Sequence, residues 1–103
     1  MKHISKYNQG QLSFTYNNLI AFENHQIELD SLIGTLEFLL NAMEFVEDAW
    51  EEQFLQGVTV LESINARAIE APKISRETLD SLIKKSVSNL KLLIGDTLTQ
   101  CLT

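Results

Sequence analysis

The sequence predicts an all-α protein, a compact antiparallel bundle of about four helices. Three segments between residues 29 and 94 repeat apolar residues at helical spacing, and no segment has the pattern of a partner strand. The 103 residues include only four glycines and one proline, without a low-complexity tract or an internal repeat. A chain of this length encloses one hydrophobic core, so we expect a single helical domain over residues 1–103.

The first 24 residues fit two patterns. Leu12, Phe14 and Tyr16 alternate as they would in a strand. Leu12 and Tyr16, taken with Leu19 and Ile20, instead have the spacing of one helix face. We predict a helix, because the rest of the chain is helical and offers no strand for pairing.

The second and third helices have clear apolar faces. An acid in the first turn, Asp30, suits the second helix, and Asp48 with Glu51 has the residues of a capping box that would start the third. The third helix should end before Pro72. The predicted buried residues of the second helix are Leu29, Leu32, Ile33, Leu36, Leu40 and Met43. Those of the third are Trp50, Phe54, Val58 or Gly57, Leu61, Ile64 and Ala68.

The fourth helix follows a short linker at Pro72 and Lys73. Ser75 is its predicted N-cap, and its end is expected to fray near Gly95. The predicted face consists of Leu79, Leu82, Ile83, Val87, Leu90, Leu93 and Ile94.

Charge is distributed unevenly along the chain. Residues 1–22 hold two lysines and no acid, residues 23–62 hold ten acids and no lysine or arginine, and residues 63–103 have a net charge of +2. The anionic middle segment would repel nucleic-acid phosphates and anionic membranes. We therefore expect a basic protein surface or a cation as the partner.

The sequence favours a cytoplasmic protein. Cys101 is the single cysteine, so no disulfide forms within the chain, and no apolar run approaches the 18 residues of a membrane span. The polar start, residues 1–11, does not have the pattern of a signal peptide.

We expect no catalytic residue and no cofactor. His3 and His25 have no nucleophile or carboxylate at a spacing that would make a catalytic pair, and Cys101 stands three residues from the end. Carboxylates separated by three residues can bind Mg²⁺ in all-α nucleotide pyrophosphohydrolases, and three pairs imitate that spacing. Glu77, however, would point about 140° away from the core of its helix. The pairs are Glu44 with Glu47, Asp48 with Glu51, and Glu77 with Asp80.

The predicted partner-binding surface is an acidic strip on the third helix and the connection before it. A solvated face in which Asp48 and Glu51 serve only as helix caps is the alternative. The absence of lysine and arginine from residues 23–62 favours docking, because surfaces made for solubility mix both signs. The predicted binding residues are Glu44, Glu47, Asp48, Glu51, Glu52, Leu55 and Glu62; on the second helix Asp30, Glu37 and Glu44 follow a seven-residue spacing.

Phe38 and Phe45 project opposite the apolar stripe of the second helix. They indicate either a central helix that touches neighbours on both sides or an aromatic anchor for a partner. Trp50, in contrast, lies on the predicted buried face of its helix.

Several segments resemble small bacterial immunity proteins, which are encoded beside polymorphic toxins, including those of contact-dependent growth inhibition systems. These segments are YNNLIAFEN at 16–24, LIGTLEFLLNA at 32–42, Trp50 with Phe54, and LESINA at 61–66. The resemblance covers about residues 16–70 and leaves out the last helix. It implies a protein that binds the C-terminal toxin domain of its own system, typically a nuclease such as an RNase, and blocks its active site or the approach of its substrate.

The charge and the resemblance agree on a basic partner. A nuclease is basic where it holds phosphates, so an acidic protein can occupy that surface. We therefore expect a monomer that neutralises its toxin one to one and catalyses nothing. The alternatives are a helical adaptor or regulator of a basic cytoplasmic protein and, third, the magnesium-dependent nucleotide pyrophosphohydrolase.

Overall fold

Four helices form the bundle in the described part of the chain, as predicted. A computed structural model of the chain describes residues 5–43, 47–70 and 76–101, and the side chains of 67–70, 76, 100 and 101 are not among those described. The helices are α1 (Lys6–Glu23), α2 (Leu29–Ala42), α3 (Asp48–Glu70) and α4 (Arg76–Cys101). Each packs against two others in a closed ring, with α1 against α2 and α4, and α3 against α2 and α4.

The N-terminal segment forms helix α1, as predicted, and not a strand. Ser5 is its N-cap, and the Ser5 Oγ accepts a hydrogen bond of 3.1 Å from the Asn8 amide. Leu12 and Leu19 are fully buried, whereas Phe14 is 57% exposed. The buried side chains therefore follow the helical spacing and not the alternation of a strand.

The C-terminus of α1 turns at a histidine. His25 has a φ of 61°, its amide donates to the Phe22 carbonyl, and the Gln26 amide donates to the Ala21 carbonyl. This is a Schellman motif, in which glycine usually occupies the left-handed position. The exposed His25 thus has a structural place in this turn.

Helix α2 buries most of the predicted stripe and one further leucine, while Leu29 and Leu40 are half-buried against the core. Leu32, Ile33, Leu36 and Met43 are buried as expected, and Leu39 joins them at 1% exposure. Leu39 lies one turn before Met43 and one turn after Leu36, so it widens the stripe toward a second neighbouring helix. This broad face is what lets α2 contact both α1 and α3.

Helix α3 begins at Asp48, and its predicted face is confirmed wherever its side chains are described. The Glu51 amide donates to the Glu47 carbonyl at 3.0 Å, so Glu47 is the N-cap, one residue before the position that the capping box predicts. Ala68 has no described side chain, and Pro72 lies outside the described residues. The buried residues of α3 are Trp50, Phe54, Val58, Leu61 and Ile64.

Helix α4 is longer than predicted, because it continues through Gly95 to Cys101. The expectation that it frays near Gly95 was wrong. Thr97 beyond the glycine is buried and Leu98 packs against the core, and these contacts outweigh the ~1 kcal/mol that a glycine costs inside a helix. Leu82, predicted to be buried, is 41% exposed. The predicted linker, Pro72 and Lys73, and the predicted cap, Ser75, lie outside the described residues.

A buried hydrogen bond joins α3 to α4. The Trp50 indole Nε1 donates to the Thr97 Oγ1 at 2.9 Å, and that hydroxyl donates in turn to the Leu93 carbonyl at 2.8 Å. The Trp50 ring also stacks on Phe54, with 5.3 Å between the ring centroids. Trp50 is therefore in the core, as predicted, with its one polar group satisfied.

The two helices approach closely at Gly57. A β-carbon at this position would lie 2.7 Å from the Leu90 Cδ2 and 2.9 Å from the Leu90 Cγ. Gly57 lies seven residues after Trp50, and Leu90 lies seven residues before Thr97. The two contacts therefore fix an antiparallel register between α3 and α4.

A surface ion pair links α1 to α4. The Lys91 Nζ lies 2.8 Å from the Glu23 Oε1 and 5.9 Å from the centroid of the Tyr16 ring. The hydrogen bond to Glu23 raises the pKa of Lys91 above its ordinary value of 10.5. The stability linked to the raised pKa of Lys91 is thus complete below pH 10.5 and is lost as the pH rises through the higher pKa of the folded state.

We expect Gly57→Ala to lower the free energy of unfolding by about 1–2 kcal/mol. Overpacking against Leu90 costs about 1–3 kcal/mol, whereas alanine recovers only about 0.5–1 kcal/mol of helix propensity. Gly34→Ala is the matched control, because nothing lies within 4 Å of a β-carbon at Gly34 in the exposed face of α2. Urea unfolding should show a gain of about 0.5–1 kcal/mol for the control. Equal gains for both variants would contradict the close approach at Gly57.

Thr97→Val should cost about 1–3 kcal/mol, since it keeps the shape of the side chain but leaves the buried Trp50 indole N–H without an acceptor. Thr97→Ser retains the hydroxyl and should lose under ~1 kcal/mol. Unfolding followed by the fluorescence of Trp50, the single tryptophan of the chain, measures both variants. A valine variant as stable as the parent would show that this hydrogen bond is dispensable.

Candidate protein-binding surface

The outer side of α3 carries the predicted acidic residues. Because Trp50, Phe54 and Leu61 turn inward, the helix presents its acids away from the core. Glu51 is half-buried, and the others with described side chains are exposed. We call the described set the acidic face; it comprises Glu47, Asp48, Glu51, Glu52, Leu55 and Glu62. Glu44, predicted to belong with them, lies outside the described residues.

Four members of the acidic face line one shallow, open depression. These are Asp48, Glu51, Glu52 and Leu55, and the depression continues over Gln56, Thr59 and Val60. Leu55 and Val60 are each 41% exposed, so the depression has apolar as well as anionic walls. Glu62 is exposed on the same helix but does not line it.

Four acids of this surface have no paired cation within the described part of the chain. No lysine or arginine there forms an ion pair with Asp48, Glu51, Glu52 or Glu62, and the ion pair of Lys91 uses Glu23 on the other side of the bundle. The sequence from 23 to 62 contains no lysine or arginine that could do so locally. These four acids therefore present charge of one sign.

The position of Gly57 shows how the acidic face is oriented. Gly57 lies on the side of α3 that touches α4. Successive residues of a helix are rotated by 100°, so Glu51 and Glu62 lie on the other edge of the buried stripe of α3. That flank is directed toward the α2 side of the bundle. Asp30 and Glu37 of α2, seven residues apart, are exposed as well.

The alternative function as a magnesium enzyme would require a cluster of metal ligands. No group of three or more histidine, cysteine, aspartate or glutamate side chains in the described part of the chain comes close enough to hold a metal ion. Glu77 is exposed on α4, as the helical spacing predicted, and Asp80 is exposed as well. His3 lies outside the described residues, and the side chain of Cys101 is not described.

Phe38 lies outside the contacts that α2 makes with α1 and α3. It is 62% exposed, so the interpretation that it touches a neighbouring helix was wrong. Helix α2 is indeed packed on two sides, but its buried stripe makes both contacts because that stripe is wide enough to reach two helices. Phe45 lies outside the described residues.

A second concave surface, between α3 and α4, was not predicted. This groove of about 320 Å³ is lined by Gln53, Gln56, Gly57, Val60, Ser86, Asn89, Leu90 and Leu93. It shares Gln56 and Val60 with the depression of the acidic face. The sequence offered one signal, since Ser86 lies four residues before Leu90 and hence on the buried side of α4.

No protein-family model, curated protein sequence or solved structure matches this chain. Among the described residues, no helix combines the length and apolar character required to cross a membrane.

Proposed function

We propose that this protein is an immunity protein that binds and neutralises the nuclease toxin domain of its own contact-dependent growth inhibition system. The observation that carries the proposal is the acidic face of α3, a set of carboxylates around Leu55 in which no described lysine or arginine pairs with Asp48, Glu51, Glu52 or Glu62. The sequence resemblance to bacterial immunity proteins supplies the biological context. Binding, and not catalysis, is the activity proposed.

Electrostatics explains why such a surface would suit a nuclease. An RNase or DNase must be basic where it holds its phosphates, and carboxylates on a rigid helix can take the place of that polyanion. The helix is held by a buried face from Trp50 to Ile64, so little order has to be gained on binding. Such preorganisation lowers the entropic cost of the complex.

The size of the protein is adequate for this function. A standard interface covers about 800 Å² of each partner, a small part of the 6867 Å² of accessible surface here. Leu55 and Val60 can provide the apolar contacts that a stable interface needs at its centre. The surrounding carboxylates would then steer the encounter.

Replacing Glu51 and Glu52 together by lysine should weaken toxin binding and leave the fold intact. Loss of a favourable first-turn charge at Glu51 costs stability about 0.3–1 kcal/mol. Association with the C-terminal domain of the toxin encoded immediately upstream should slow about tenfold or more at low salt, with a flatter salt dependence. Stopped-flow or biosensor kinetics measures the rate, and survival of cells that make the toxin measures protection.

Lys84→Glu with Lys85→Glu is the matched control, because it changes the net charge by the same amount in the opposite direction on the exposed surface of α4. We expect binding and protection close to those of the parent. Unchanged kinetics in the Glu51, Glu52 variant would place the docking surface elsewhere. Equal and opposite effects of the two double variants would mean that only net charge matters.

A further inference from the structure

Ser86 is a nearly buried residue that lines the groove between α3 and α4. Ser86 is only 7% exposed and forms no hydrogen bond with any described residue. The other two buried hydroxyls among the described residues, those of Thr15 and Thr97, donate to the carbonyl four residues earlier. Ser86 therefore differs from both of them.

The Ser86 hydroxyl opens into the groove. Among the described residues, no fully enclosed side-chain oxygen or nitrogen lacks a partner, so the Ser86 Oγ must retain some accessible surface. Ser86 is one of the residues that line the groove, beside Gly57 and Leu90. A nearly buried polar group without a protein partner is costly unless a ligand or water satisfies it.

We propose that this groove binds the guanidinium group of an arginine side chain presented by the partner. The inference rests on the proposed function, because it takes the partner to be basic. A guanidinium carries five N–H donors and needs acceptors arranged around its plane. The Ser86 Oγ and the amide oxygens of Gln53, Gln56 and Asn89 are such acceptors.

The apolar part of the groove suits the rest of an arginine side chain. Val60, Leu90 and Leu93 line it together with the amides. The three methylene groups of arginine can pack on these residues while the charged end reaches the polar groups. The groove volume of about 320 Å³ is roughly ten times the ~30 Å³ that a water molecule occupies, so it accommodates a long side chain.

Neighbouring charge favours a cation over an anion. No lining residue is charged, and the groove joins the acidic face through Gln56 and Val60. Lys85 lies one turn from Asn89 on the exposed surface and does not line the groove. One basic partner could thus place its charged surface on the acidic face and insert an arginine beside it.

Titration with acetyl-arginine amide tests the groove without any partner protein. We expect saturable NMR shifts in the side-chain amides of Gln53, Gln56 and Asn89. Acetyl-lysine amide should bind more weakly, and acetyl-glutamine amide should give no saturable shift. Ser86→Ala, which removes one hydrogen bond, should weaken the arginine compound about fivefold.

Asn89→Leu is a second variant, at an exposed position where loss of folding is not expected, and it should weaken the arginine compound as well. Thermal unfolding verifies that both variants remain folded. The inference is overturned if the glutamine compound produces the same shifts as the arginine compound. It is also overturned if the arginine shifts are confined to the acidic face and neither variant changes them.

The toxin assays separate this inference from the proposed function. If the Glu51, Glu52 variant loses protection while Ser86→Ala and Asn89→Leu keep the parent's toxin affinity, the groove proposal is wrong and the immunity function stands. If the toxin domain binds none of the proteins, the immunity function is wrong, and the saturable arginine titration then supports the groove by itself.

Discussion

The close approach of α3 and α4 is the constraint on which the rest of the bundle depends. Gly57 has no side chain to hold Leu90 away, and seven residues earlier on α3 the Trp50 indole bonds to Thr97. One contact sets the distance between the helices and the other sets their register. Together they fix the rotation of α3, and that rotation decides which of its residues face outward.

The same contact produces both concave surfaces. Turning Trp50, Phe54 and Leu61 inward leaves the carboxylates of the acidic face on one flank of α3. On the other flank, where Gly57 lets Leu90 approach closely, these two residues and Ser86 line the groove. Because Gln56 and Val60 belong to both surfaces, a partner that covers one also reaches the other.

Polar groups inside the bundle divide into two kinds. The Thr97 hydroxyl accepts from Trp50 and donates to Leu93, so it is fully used in holding α3 to α4. The Ser86 hydroxyl, almost as buried, has no such use among the described residues. A satisfied buried hydroxyl specifies packing, whereas one that faces a groove is available to a ligand.

The sequence by itself determined the helical fold, most of the core and the sign of the charge on the acidic face. Apolar residues at 3.6-residue spacing predict a buried face such as that from Trp50 to Ile64. The absence of lysine and arginine from residues 23–62 can be read directly from the sequence. Tertiary structure alone decided that α4 runs through Gly95, that Phe38 stays exposed and that Ser86 faces a groove. Periodicity along one helix indicates which side is apolar. It does not indicate which neighbouring helix packs on that side or at what distance. The length of α4 depends on Thr97 meeting Trp50, and the groove depends on Leu90 meeting a glycine, so both required the contact between two segments distant in the chain.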